Sequence, residues 1–342
     1  MAIKRVAAWL ITIALILGLI VVGKDYLVPI FMALVIWYLV NALDREFNKL
    51  PGIGKHLPGA VTLAMSLIFI GLTLYIVGDT IVETIQGFVS DSQKYIPRID
   101  AQIARVYGNF GFENPPTLDS LELSTQLWAY SAELLNGITN FAKGLLLVLL
   151  YVVFFLIEQG AFGRKMTALG LPLQETNRLS VVLDKVNSAM RTYLGVKTFT
   201  SMLTALLSWG VFYFIGVDYA LFWAFLVFLF NYVPTIGSIT ATILPGFLAL
   251  VQFDTLTPFL VIIIGVTAIQ LLVGNVLEPR LMGDNLNISP LVVVLSLILW
   301  SMLWGVVGMF LSVPITVAII IICSQFETTR AVAVLLSKNG NV

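Results

Sequence analysis

Apolar runs separated by short polar segments dominate the pattern of this chain. A helix needs about 20 predominantly apolar residues to cross the hydrocarbon core of a bilayer. The pattern therefore predicts an all-α, polytopic integral membrane protein with about eight transmembrane helices. The predicted spans are 6–23, 27–43, 59–78, 144–158, 198–216, 219–250, 257–275 and 288–322.

Two of these runs are too long to cross a bilayer as one straight helix. At 1.5 Å per residue, the run 219–250 would rise about 48 Å and the run 288–322 about 52 Å. Turn-forming residues interrupt the first at Asn231-Tyr-Val-Pro234 and the second at Trp304-Gly305-Val-Val-Gly308. We therefore expect broken, re-entrant or steeply tilted helices in the C-terminal half.

Polar segments divide the chain into three predicted parts. N-terminal transmembrane helices occupy 1–79, and a polar, partly amphipathic helical excursion outside the bilayer occupies 80–142. A C-terminal transmembrane core occupies 143–342 and includes a cytoplasmic amphipathic segment at about 160–197. The helix in the excursion is predicted from apolar residues that recur every three or four positions.

The distribution of Lys and Arg predicts the orientation in the membrane, because short cytoplasmic loops carry an excess of them. They cluster before the first span, after the second span, in 160–197 and in the C-terminal tail. Eight crossings place all four clusters on one side. We therefore expect both termini in the cytoplasm and 80–142 outside. The basic residues assigned to the 160–197 segment are Arg164, Lys165, Arg178, Lys185, Arg191 and Lys197.

Composition supports a membrane protein, and the lack of catalytic motifs in the sequence argues against an enzyme. The chain is 59% hydrophobic and 11% charged, whereas soluble domains are about 45–50% apolar and about 25% charged. Basic and acidic residues balance at 19 each, so no nucleic-acid partner is indicated. With one cysteine, Cys323, and one histidine, His56, the sequence lacks a zinc-ligand cluster. It also lacks a serine-nucleophile elbow and a P-loop, so we expect no catalytic residues, metal or cofactor.

The first candidate site lies at the interruption of the run 219–250. Polar groups are costly inside a membrane and usually mark a path for a ligand or ion. In this hypothesis Asn231 and Thr235 hydrogen-bond a solute, Pro234 and Gly237 hold the helix open, and Ser238 adds a hydroxyl. The alternative is a purely structural kink with tight packing of small residues.

The second candidate site lies at the end of the span 257–275. Glu278 and Arg280 flank Pro279, and Asn275 lies one turn earlier. A carboxylate screened from water favours its protonated form unless a nearby cation offsets this. Glu278 could therefore take and release a coupling ion, with Arg280 tuning it. The alternative is an interfacial loop held by a structural Glu278–Arg280 pair.

Three motifs of the C-terminal half resemble those of a known family. They are Asn231-x-x-Pro234-x-x-Gly237, then Glu278-Pro279-x-x-x-Gly283, then Trp304-Gly305-x-x-Gly308 followed by Pro314. Together, over about 185–320, they resemble the AI-2E family, the autoinducer-2 exporter-like permeases of bacteria.

The resemblance implies a multi-pass protein of the bacterial cytoplasmic (inner) membrane that forms a homo-oligomeric ring, such as a pentamer, in the lipid bilayer. For some members it implies export of the quorum-sensing signal autoinducer-2, and for others Na⁺(Li⁺)/H⁺ antiport. We therefore predict a secondary transporter that exports a small polar solute by using an ion gradient. The alternatives are an antiporter of monovalent cations and a non-transporting membrane scaffold whose 80–142 region binds a partner.

Overall fold

The computed structural model describes residues 2–49, 58–109, 114–117, 144–161, 164–165, 168, 173–283 and 287–340. Within these ranges the chain is almost entirely helical, which confirms the predicted all-α class. The helices are α1 (Ala2–Val22), α2 (Lys24–Lys49), α3 (Gly59–Asn109), α4 (Gly144–Ala161), α5 (Leu173–Ile215), α6 (Ala220–Phe230), α7 (Ile236–Gln252), α8 (Thr257–Gln270), a π-helical segment (Leu271–Leu277), α9 (Glu278–Met282), α10 (Pro290–Ser324) and α11 (Arg330–Leu336).

Six helices in the described part of the chain are long and apolar enough to cross a membrane. Two further apolar helices, α6 and α7, are shorter. This arrangement confirms the predicted polytopic membrane protein. The six are α2, Gly59–Thr84 of α3, α4, Leu179–Ile215 of α5, Thr257–Met282 and α10.

Both predicted interruptions are present. The run 219–250 is split because α6 ends at Phe230 and α7 begins at Ile236. In the run 288–322, Gly305 has φ 62° and ψ −140°, which lies outside the helical region. Glycine adopts this conformation without the steric penalty that a side chain would bring. The chain therefore breaks its two longest apolar runs at the positions where turn-forming residues occur.

Two helices extend well beyond the length of a bilayer span. α3 contains 51 residues and rises about 76 Å, so the third predicted span and the amphipathic helix after it are continuous. α5 contains 43 residues and joins the end of the predicted amphipathic segment to the next predicted span. Residues 118–143 and His56 lie outside the described residues, so the predicted three-part division stays a prediction.

The chain folds into two compact units, each built from separate stretches of sequence. The first comprises Met1–Leu63, Gly144–Val196 and Met282–Val342, and its core includes Leu194, Trp300, Trp304 and Leu311. The second comprises Ala64–Lys143 and Lys197–Leu281. Its core is built around side chains of α5 to α8, including Phe212, Val227, Ala249, Ile262 and Val266.

Large apolar side chains also cover much of the outer surface. Phe214 and Met302 are 88% and 81% exposed, and many other Leu, Ile and Phe residues are similarly uncovered. Soluble monomers rarely display contiguous apolar surface on this scale. Lipid tails are the natural cover for such surfaces, in agreement with the apolar helices.

In the second unit, polar contacts at the helix ends join α3 to the helices that carry the interruption. The Tyr95 hydroxyl donates to the carboxylate of Asp218 at 2.6 Å. Gln252 accepts from the backbone N–H of Asp218 at 2.9 Å and donates to the carbonyl of Gly216 at 2.8 Å. These contacts link α3, the turn before α6 and the end of α7.

Candidate functional site

A line of buried polar side chains runs along α5 in the second unit. The residues recur at three- and four-residue spacing, so they lie on one face of the helix. In a predominantly apolar helix, such a face needs internal partners because lipid provides none. Its members are Lys197, Thr200, Ser201, Thr204 and Ser208, and all are buried. We call this set the polar face of α5.

Glu278 forms an ion pair with Lys197 on this face. The Lys197 Nζ donates to both carboxylate oxygens of Glu278, at 2.7 and 2.9 Å. The two side chains are only 8% and 15% exposed. The Thr200 hydroxyl lies 3.3 Å from Glu278 Oε2 and 3.2 Å from the Lys197 carbonyl, so it can donate to either acceptor.

The cation beside Glu278 is therefore Lys197, which is 81 residues distant in sequence. Arg280, the neighbour that sequence reasoning considered, is an exposed residue of α9. Asn275 is exposed as well. Sequence reasoning also counted Lys197 among the cytoplasmic loop residues, whereas the structure buries it in α5. The sequence signal that Lys197 belongs to a polar helix face was the three- and four-residue spacing of Lys, Thr and Ser within KTFTSMLTALLS.

A π-helical segment, Leu271–Leu277, positions Glu278. The backbone N–H of Glu278 donates to the carbonyl of Val273, five residues earlier. Segments of this kind are rare and frequently occur at functional sites. Pro279 follows Glu278 and has no backbone N–H to donate to a helical hydrogen bond. The backbone is thus irregular immediately before the buried carboxylate.

The interruption between α6 and α7 contacts the same face of α5. Asn231 Nδ2 donates to the Ser201 hydroxyl at 3.1 Å. The hydroxyls of Tyr232 and Thr198 are 2.7 Å apart. Residues 197 to 201 span about 6 Å along the helix axis. The structure therefore brings the two candidate sites, which are separate in sequence, to one turn of α5.

The chain reverses at the interruption through a tight γ-turn. The backbone N–H of Ile236 donates to the Pro234 carbonyl at 2.7 Å, and Thr235 between them has φ 63° and ψ −61°. A γ-turn with positive φ is rare and strained, especially for a β-branched residue. The Thr235 side chain is exposed, and the Ser238 hydroxyl donates to the Thr235 carbonyl at 2.8 Å.

Gly237 is required where α7 begins against the end of α6. A Cβ at this position would lie 1.7 Å from the Phe230 carbonyl oxygen. Gly308 of the first unit shows the same close approach, because its Cβ would lie 1.9 Å from the Trp300 oxygen. In each case a glycine after the interruption lets the new helix segment lie against the backbone that precedes it.

The site provides two opposite charges, hydroxyls and an amide. Asn231 has both donor and acceptor atoms, and Lys197 and Glu278 supply opposite charges. The Ser208 hydroxyl is buried and has no hydrogen-bond partner among the described atoms. Among the same residues, no group of three or more His, Cys, Asp and Glu side chains is arranged to hold a metal ion. Such a site can bind a small polar or charged species.

Comparison with known proteins identifies relatives of this chain. Residues 10–327 match the family described as "AI-2E family transporter". The chain is 37% identical to "AI-2 transport protein TqsA" of Escherichia coli strain K12 over 205 residues, which cover 60% of this chain and 58% of that protein. It is 34% identical over 221 residues to a "Putative transport protein" of Borreliella burgdorferi, covering 64% and 60%.

The chain aligns over a longer range with "Putative transport protein YhhT" of Escherichia coli strain K12. The identity is 30% over 312 residues, which cover 90% of this chain and 86% of that protein. The alignments to TqsA and to the Borreliella burgdorferi protein span about three fifths of the lengths of those relatives.

Proposed function

The chain belongs to the AI-2E transporter family, and from that premise we propose that it exports a small polar solute across the bacterial inner membrane by using an ion gradient. Membership assigns a role in transport rather than catalysis, in a multi-pass membrane protein. The name of the relative TqsA supports autoinducer-2 as the first solute to test.

The observation that carries the proposal is the Lys197–Glu278 pair beside the interrupted helix. Charged groups within membrane segments are costly, and those that persist usually serve binding or transport. A structural pair can often be replaced by apolar side chains without loss of stability. A purely structural role therefore gives little reason to retain both charges next to a helix break that presents Asn231.

We assign roles to the candidate residues from their positions. Asn231 hydrogen-bonds the solute, since it contacts the polar face of α5. Thr235 and Ser238 contribute at the exposed side of the break, and Pro234 and Gly237 shape it. Glu278 exchanges the coupling ion. Arg280 and Asn275 are the exposed polar groups on the same path.

Uptake into everted membrane vesicles tests this assignment. An imposed proton gradient drives labelled autoinducer-2 into vesicles that contain the wild type, Asn231→Ala or Glu278→Gln. Each variant is expected to lose about tenfold in uptake, the effect of one lost hydrogen bond to a charged or buried group. Asp254→Asn is the control, because that carboxylate is 91% exposed. If Asn231→Ala and Glu278→Gln both transport like the wild type, the site assignment fails.

A second candidate function is Na⁺(Li⁺)/H⁺ antiport. The carboxylate of Glu278 and the Thr200 hydroxyl are both oxygen ligands for a hard cation, which favours antiport in a conformation where Lys197 has left the carboxylate. In proteoliposomes without added solute, an antiporter would dissipate a pH gradient when Na⁺ or Li⁺ is supplied. A non-transporting scaffold would show neither this activity nor solute uptake.

A further inference from the structure

The surroundings of Glu278 have the composition of a cation site. The two carboxylate oxygens converge on one point, and the Thr200 hydroxyl lies 3.3 Å from Oε2. Carboxylate and hydroxyl oxygens are the ligands that hard cations prefer. The Lys197 ammonium lies 2.7 and 2.9 Å from the two carboxylate oxygens, where a cation held by this carboxylate would bind.

The charge balance at this position leaves no place for a second cation. Lys197 is buried, Glu278 is largely buried, and the charges of the two side chains sum to zero. An added Na⁺ would leave a net positive charge in a poorly hydrated site, which is unfavourable.

Two other carboxylates of the second unit, Asp218 and Asp254, have partners of their own. Asp218 accepts a hydrogen bond from Tyr95 at 2.6 Å. Asp254 is 91% exposed and lies 3.8 Å from Arg105. Glu278 is the carboxylate that contacts Lys197, and the Lys197 ammonium balances its charge.

We propose that Lys197 is a built-in counter-cation that takes the place of an alkali-metal ion beside Glu278. As a consequence, the protein neither binds nor requires Na⁺ or Li⁺ at this site. Removing the Lys197 charge opens the site to these ions. This inference deepens the proposed function and rests on it for the transport cycle, although ion binding can be measured independently.

Thermal unfolding of the full chain in detergent tests ion binding. The wild type is expected to have the same Tm in NaCl, LiCl and choline chloride at equal concentration. Lys197→Ala is expected to unfold about 5 °C higher in NaCl or LiCl than in choline chloride, because an ion that binds only the folded state raises Tm. Lys197→Arg keeps the charge and is the matched control, so it should behave like the wild type. The double variant Lys197→Ala/Glu278→Ala should lose the salt response.

Three results would overturn the proposal. The first is a wild-type Tm that rises in NaCl or LiCl relative to choline chloride. The second is a Lys197→Ala variant with the same Tm in all three salts. The third is a Lys197→Ala variant that stays unfolded even with Na⁺ or Li⁺, since an ion able to replace the ammonium should restore the fold.

A transport measurement separates this inference from the proposed function. Wild-type solute uptake in proteoliposomes is expected to be equal in Na⁺-free choline and in Na⁺ buffers. Uptake that requires Na⁺ would overturn the role of Lys197 but leave a solute transporter. Absence of uptake in every buffer would overturn the proposed function, and the unfolding data would then decide the ion-binding claim alone.

Discussion

Lys197 and Glu278 pair in a buried position, so the loss of one has a different consequence from the loss of both. Removing one partner leaves an uncompensated buried charge, which typically costs about 3–5 kcal/mol. Replacing both by apolar residues of similar size is often close to neutral. The pair therefore allows its contribution to stability to be separated from its contribution to transport.

We expect Lys197→Met and Glu278→Met each to lower the Tm strongly, and the double variant to recover most of the loss. Solute uptake by the double variant should stay at least about tenfold below that of the wild type, because the charges, rather than the packing, serve transport. Thermal unfolding and uptake into proteoliposomes measure the two effects. A double variant that transports like the wild type would contradict a functional role for the pair.

Gly237 offers a second test at the residue scale. In Gly237→Ala the new methyl group would meet the Phe230 oxygen at 1.7 Å, so α6 and α7 must separate. We expect a marked loss of Tm, comparable to overpacking costs of about 1–3 kcal/mol or more. Gly210→Ala in α5 is the control, because nothing lies within 4 Å of its Cβ position. Equal Tm values for the two variants would show that the close approach is unimportant.

Individual site residues differ in how visible they are in the sequence. Asn231, Pro234 and Gly237 stand out because they interrupt an apolar run that is too long for one crossing. Lys197 does not, because it follows a basic segment and resembles one more cytoplasmic charge. Its burial depends on the continuation of α5 and on Glu278, which is 81 residues away. Local sequence contains no signal for that pairing.

At the scale of elements, the break between α6 and α7 depends on the γ-turn at Thr235. A residue held at positive φ in a sparsely populated region costs on the order of 1–3 kcal/mol. Glycine avoids most of this cost because it has no Cβ. The turn therefore stores strain next to the polar face of α5.

We expect Thr235→Gly to raise the Tm, by the equivalent of about 1 kcal/mol. Thr240→Gly, within α7, is the control, and it should lower the Tm because glycine is unfavourable in the interior of a helix. Thermal unfolding of the two variants and of the wild type measures both changes in Tm. A Thr235→Gly protein less stable than the wild type would show that the threonine side chain makes a contact that outweighs the strain.

The positions at which helices are interrupted followed largely from the lengths of the apolar runs. A fixed rise per residue and a fixed bilayer thickness require interruptions in the runs 219–250 and 288–322, and both occur. The continuity of α5 was harder to predict because its sequence changes from mixed polar to apolar character near 197. Hydrogen bonding within a helix continues across such a change, whereas composition alone suggests two elements.

At the scale of the whole molecule, the orientation of the termini and the subunit number remain predictions. The exposed apolar surfaces can be covered either by lipid or by further copies of the chain, as in the predicted homo-oligomeric ring. Excess Lys and Arg predict cytoplasmic termini, with 80–142 on the outer side.

Cysteine labelling in intact cells tests this orientation. In a Cys323→Ser background, we expect a membrane-impermeant thiol reagent to label Asn114→Cys without permeabilisation. Lys338→Cys should react only after the membrane is permeabilised. Both positions are exposed, so labelling reports sidedness rather than burial. Labelling of Lys338→Cys in intact cells would reverse the predicted topology.

Sequence alone determined the helical class, the membrane environment and the necessity of the two interruptions. These properties depend on composition and on distances along one helix, which local chemistry specifies. Tertiary structure decided which polar groups meet. Asn231 contacts Ser201, Glu278 pairs with Lys197, and both contacts fall on one turn of α5. Such contacts depend on packing between segments that are distant in sequence, so the interruption first visible as a break in an apolar run becomes part of a charged site only in the folded chain.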